Sequence, residues 1–87
     1  MIYDTTYNIA WQREQVNDIV FIRDYSTDEF VILEDVAKDI WMGIVAKKTI
    51  EEISNDLLNI YSDIELSDAL TDVTEFVETC IQNGWLM

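Results

Sequence analysis

Apolar residues recur at alternate positions in the first third of the chain and at every third or fourth position after it, so the pattern predicts strands first and helices afterwards. From Tyr7 to Arg13, Tyr7, Ile9 and Trp11 share one face while Asn8, Ala10 and Gln12 share the other, as expected for a half-buried strand. Asn17-Asp18 supplies a turn signal. Ile19-Val20-Phe21-Ile22 and Phe30-Val31-Ile32-Leu33 follow, both apolar on both faces and rich in β-branched residues, and the polar turn Ser26-Thr27-Asp28 between them predicts a hairpin. Helices from one small domain cover only one face of a three-stranded sheet. The second apolar face must therefore be covered either internally, by Tyr, Trp and the N-terminal tail, or by a partner or second protomer.

Glu34 and Asp35 introduce a helix with Val36, Ile40, Trp41, Ile44 and Val45 at helical spacing and Lys38, Lys47 and Lys48 toward its C-terminal side. The second helix starts at Thr49, where Thr49 and Glu52 stand at capping-box spacing; Ile50, Ile53, Leu57 and Ile60 form its buried stripe, and Tyr61-Ser62-Asp63 ends it. A third runs from about Ser67 to Asn83 with Gly84 as its C-terminal stop. Its stripe is Leu70, Val73, Val77 and Cys80, and Ala69, Phe76 and Ile81 widen the apolar face, either as a groove wall or because the helix lies between the sheet and the second helix. Strands followed by helices, unmixed, predict an α+β domain, and three short strands with three helices suit a winged-helix arrangement.

Composition narrows the possibilities. The 87 residues are enough for one domain, expected to span residues 1–87, and the 49% hydrophobic content argues against disorder. Eighteen acidic residues against five basic ones, a net charge of −13, repel a polyanion; nucleic acid and anionic membrane surfaces are therefore not expected partners. With Cys80 as the one cysteine, no intramolecular disulfide forms. Neither a signal-peptide pattern nor an apolar run of the ~20 residues a membrane span needs is present, so the expected location is the cytoplasm.

The chemistry-bearing residues point away from catalysis. No histidine is present, which removes the commonest general base and metal ligand, and one cysteine cannot build a zinc cluster. Glu51/Glu52 and Asp72/Glu75 lie on predicted exposed helix faces, and Gly43 and Gly84 are too isolated for a phosphate loop. Cys80 falls on an apolar stripe with no basic neighbour in sequence, as a buried structural thiol does. Trp11, Trp41 and Trp85 read as core anchors. The expectation is a protein that is not an enzyme and takes neither cofactor nor metal.

Leu33-Glu34-Asp35-Val36-Ala37-Lys38-Asp39-Ile40-Trp41 resembles the strand-end and Ile-Trp signature that opens the first helix of PqqD-like domains. Thr49-Ile50-Glu51-Glu52-Ile53 is similar to that family's second-helix start and Tyr61 to its end; Asp72-Val73, Phe76-Val77 and Gly84-Trp85-Leu86 resemble its last helix. The resemblance runs from Val16 to Met87. Two positions depart from it: Glu34, where the family often has Asn, and Lys47, where a Gly often precedes the second helix.

The resemblance implies a recognition element that captures the leader of a ribosomally made precursor peptide and presents it to modifying enzymes: a peptidase, a cyclase or a radical enzyme. It implies binding of the leader as an added strand beside the third strand, in the cleft toward the third helix. The expected strand-side contacts are Phe30, Val31, Ile32 and Leu33. Ala69, Val73, Phe76 and Cys80 are the expected helix wall, and Asp72, Glu75 and Thr79 a polar rim that favours a leader bearing Lys or Arg. A proline-free apolar strand without internal charge is suited to such pairing. The competing reading is an acidic winged-helix regulator that binds another protein; a DNA-binding version would need basic residues that Thr49 to Tyr61 lacks. The chain is expected to be a monomer in dilute solution that can dimerise at high concentration through the same strand edge.

Overall fold

Three strands, β1 (Ile9–Glu14), β2 (Ile19–Asp24) and β3 (Glu29–Leu33), precede three helices, α1 (Asp35–Val45), α2 (Ile50–Ile60) and α3 (Leu66–Gln82), in the computed structural model, which describes residues 2–87. The sheet is an antiparallel meander of order β1-β2-β3, with Trp11 opposite Ile22 and Ile22 opposite Val31. This is the predicted α+β arrangement of three antiparallel strands followed by three helices.

The two hairpins are built alike. Each turn ends on an aspartate in the left-handed region, Asp18 at φ 55° and Asp28 at φ 57°, a conformation Asp tolerates better than most residues. Each of these carboxylates then accepts from an arginine five residues earlier, Arg13 to Asp18 at 2.5 Å and Arg23 to Asp28 at 2.7 Å. The first strand begins two residues later than the alternation predicted. Tyr7 lies in a turn and is 99% exposed, whereas Ile9 is buried.

The helical half also differs from expectation in detail. Thr49 and Glu52 form the predicted capping box, with both reciprocal hydrogen bonds in place. α3 ends in a Schellman motif: Gly84, at φ 78°, donates to the carbonyl of Ile81 and Trp85 to that of Cys80. α1 ends the same way, but with Lys47 at φ 64° in the position usually taken by glycine, so Lys47 and Lys48 lie beyond the helix rather than in its last turn. Ile60 and Ile81, expected on buried stripes, are exposed instead, and Leu70 is only half-buried.

The core lies between the inner face of the sheet and the helices. Ile9, Val20, Ile22 and Leu33 from the strands meet Trp41, Ile44, Ile53, Leu57, Val73 and Val77 from the helices. Trp41 and Trp85 are core anchors as expected, edge-on with centroids 6.4 Å apart, whereas Trp11, 37% exposed, lies at the margin of the core with its ring edge-on to Trp41 at 6.2 Å. The chain ends close the structure. Asp4 and Met87 exchange backbone hydrogen bonds, Thr6 donates to Trp85, and the Trp85 indole N–H donates to the buried Asp24 carboxylate at 2.9 Å.

Candidate functional site

β3 pairs with β2 along one side only, and among the described residues its other side has no backbone partner. An unpaired strand edge presents a row of N–H and C=O groups, which is a template for another extended chain. The strand is short, carries no proline and has its only charge at Glu29, so nothing in it blocks such pairing. What fixes its position is the polar cluster at the start of α1. The Lys38 ammonium, though buried, donates to Asp18 in the first hairpin at 2.6 Å and contacts its neighbour Asp39 at 3.3 Å. Tyr61 at the end of α2 donates its hydroxyl to the same Asp39 at 2.6 Å. This arrangement raises the Lys38 pKa, chiefly through Asp18, and pushes the Tyr61 hydroxyl up to about 12, chiefly through Asp39.

Alternation divides the strand residues. Val31 and Leu33 face the core, with Leu33 buried and Val31 half-buried, whereas Phe30 and Ile32 project from the opposite face, 65% and 52% exposed. The strand thus presents its backbone edge and, on the core side, Val31; the side chains of Phe30 and Ile32 lie on the side away from the helices. On α3, Ala69, Val73 and Cys80 are buried in the same core as Leu33, and Phe76 packs against that core half-exposed. Asp72, Glu75 and Thr79 are all exposed. Asp72 and Thr79 stand four residues before and three after Phe76, so they flank it on one shoulder of the helix.

The electrostatics of this shoulder follow from where the few cations went. All five basic side chains are engaged in ion pairs, Arg13 and Lys38 with Asp18, Arg23 with Asp28, Lys47 with Asp4 and Lys48 with Asp56. None of them pairs with α3, whose Asp68, Asp72, Glu75 and Glu78 have no cationic partner among the described residues. This shoulder of α3 is therefore apolar at Phe76 and negative around it.

The Cys80 thiol is pushed up to about 12 by burial, the opposite of what a nucleophile needs. Among the described residues no group of three or more His, Cys, Asp or Glu is placed to hold a metal ion, and no helix is long and apolar enough to cross a membrane. Sequence reasoning missed the buried, ion-paired Lys38, whose partner Asp18 lies twenty residues earlier, and it left open what covers the outer face of the two-sided apolar strands.

Fold and edge together define a small winged-helix-like module with an open strand edge on one side of the sheet and three helices on the other. The sequence profile of coenzyme PQQ synthesis protein D (PqqD) matches residues 20–86, and the chain belongs to the PqqD family. Two solved structures share its fold. One is TbiB1 in complex with the TbiA(beta) leader peptide, at 18% identity and a TM-score of 0.82, covering 95% of this chain and 93% of that one. The other is a lasso peptide synthetase B1 complexed with the leader peptide, at 17% identity and a TM-score of 0.83, covering 100% and 99%. No curated protein matches the sequence.

Proposed function

We propose that this chain binds the leader segment of a ribosomally synthesised precursor peptide as a fourth strand on β3 and presents it to modifying enzymes, without catalysing a step itself. The observation that carries this reading is the unpaired β3 edge, whose inner residues Val31 and Leu33 belong to the same core as Val73 and Phe76 of α3. Family membership supports it, as do the two similar folds, each of which was solved with a leader peptide. In such strand addition the main-chain hydrogen bonds provide affinity and alternate side chains provide selectivity. One set of leader side chains would turn toward Val31 and Phe76, and the other would lie beside Phe30 and Ile32. Leu33, Ala69, Val73 and Cys80 act from beneath, holding the wall in place, since almost none of their surface is exposed. The unpaired carboxylates of Asp72 and Glu75, with the exposed Thr79 as a further polar group on the rim, favour a leader carrying Lys or Arg. The reading places the protein in the cytoplasm, where the precursor is made.

Calorimetric titration with the leader peptide of the neighbouring precursor gene, against a scrambled leader, tests this. Saturable binding at micromolar affinity or tighter, about −8 kcal/mol, is expected for the authentic leader alone. Phe76→Asp should abolish it while circular dichroism shows the fold intact, and Asp72→Lys should weaken a basic leader. Equal heats for the two peptides would refute the reading.

A further inference from the structure

The sheet's outer face is not covered by the chain. Trp11 packs edge-on against Trp41 and only borders this face, Tyr25 lies beside Arg23, and the N-terminal residues pair with the C-terminus, which leaves Phe30 and Ile32 exposed. What remains is an aromatic and aliphatic surface. Phe21 opposes Ile32 across the β2–β3 ladder and Arg23 opposes Phe30. The Arg23 guanidinium lies over the Phe30 ring at 5.1 Å and near the Tyr25 ring at 5.5 Å while bonded to Asp28, which holds it flat against the face. A depression of about 170 Å³ opens between Ala10, Gln12, Phe21 and Phe30. Next to it a second, of about 390 Å³, is floored by Ile19 and Ile32 and edged by Asp18, Glu34 and Asp35. Glu29 lies at the other end of β3, and neither it nor Glu34 nor Asp35 has a cationic partner among the described residues.

An apolar centre with a charged rim is the anatomy of a protein-docking surface. From this we infer that the outer sheet face docks a folded protein whose own face is apolar at its centre and bears Lys or Arg around it. Resting on the leader-binding reading, that partner is a modifying enzyme. Charge argues against a second copy of this chain: in an isologous pair Glu29, Glu34 and Asp35 would meet the same acidic set on a molecule that also carries −13. A leader strand on β3 would continue this face, so an enzyme docked here meets the bound peptide directly beside it.

The test titrates each modifying enzyme encoded beside this chain, purified, against the wild type, Phe21→Asp and Ala10→Glu, with leader affinity measured on the same three proteins. Both substitutions lie off β3, and Ala10 is exposed, so its replacement leaves the core alone. One enzyme is expected to bind the wild type, at least tenfold less tightly at 0.5 M salt than at 0.05 M, and at least tenfold less tightly to either variant, while leader affinity stays within twofold. Unchanged enzyme affinity in both variants overturns the proposal. So does the absence of binding by every enzyme, or a wild-type dimer in light scattering that either variant converts to a monomer. Loss of enzyme binding in the variants of a chain that binds no leader would leave the docking face standing and remove the leader reading instead.

Discussion

Gly43→Ala sets two opposed effects against each other at the seam between α1 and α2. In an exposed helix interior this substitution stabilises by about 1 kcal/mol, because Ala has far less backbone entropy to lose than Gly. Here a Cβ on residue 43 would lie 2.7 Å from Ile53 Cγ1, 3.2 Å from Cδ1 and 3.4 Å from Cγ2. The first contact is with a branch atom of a β-branched side chain that is 2% exposed and stiff at χ1, so relieving it means forcing Ile53 off its rotamer toward the depression it lines with Gly43 and Met42, or moving the helices apart. Overpacking of this kind costs about 1–3 kcal/mol. Taking about 2 for the clash and about 1 for the helix gain leaves a net loss of about 1 kcal/mol, which in a domain of this size lowers Tm by about 4–8 °C. Urea titration and thermal melts followed by circular dichroism measure it directly. The cycle is completed with Ile53→Ala, which alone costs about 2–5 kcal/mol but removes all three contacting atoms. The double variant should therefore be more stable than the sum of the singles by about 1–3 kcal/mol. A Tm for Gly43→Ala at or above wild type, or additivity within about 0.5 kcal/mol, would refute the close helix contact on which the argument rests.

Two further outcomes follow from the buried polar and sulfur groups. Cys80 should not react with a disulfide reagent at pH 8 in the native protein, where burial holds its pKa near 12, and should react fully in urea; rapid native labelling would show that α3 does not bury it. Asp24 is held below the ordinary aspartate range by the Ser26 hydroxyl first and the Trp85 indole second. A folded-state pKa that is lowered adds stability at pH values above the unfolded value, about 3.9, and that stability is lost as pH falls through the folded value. The destabilisation caused by Trp85→Phe should therefore shrink as chemical denaturation is moved from pH 7 toward pH 3, and a penalty independent of pH would mean the carboxylate does not favour its charged form through this bond.

Much of this protein follows from local rules that need no knowledge of the fold. The alternation of Ile9 with Ala10 and Trp11 with Gln12 sets which strand face is buried, Thr49 and Glu52 start α2, and Gly84 supplies the positive φ that stops α3. The charge of −13 and the lack of histidine are likewise read directly from the composition. These properties depend on residues a few positions apart, so the sequence carries them in full. Only the tertiary structure decided the rest, because it depends on which distant groups meet. Tyr7 fits the strand alternation, yet the Tyr25 N–H bonds to Asn8 and pairing starts at Ile9. Lys38 reads as a surface charge until Asp18, twenty residues earlier, and Asp39 enclose it. Lys47 takes a left-handed position usually given to glycine, and it pairs with Asp4 from the opposite end of the chain. Phe30 and Ile32 are indistinguishable from core residues in a one-dimensional pattern. They stand exposed because three helices on one side, and termini tied to each other, leave nothing in this chain to lie across the outer face of the sheet.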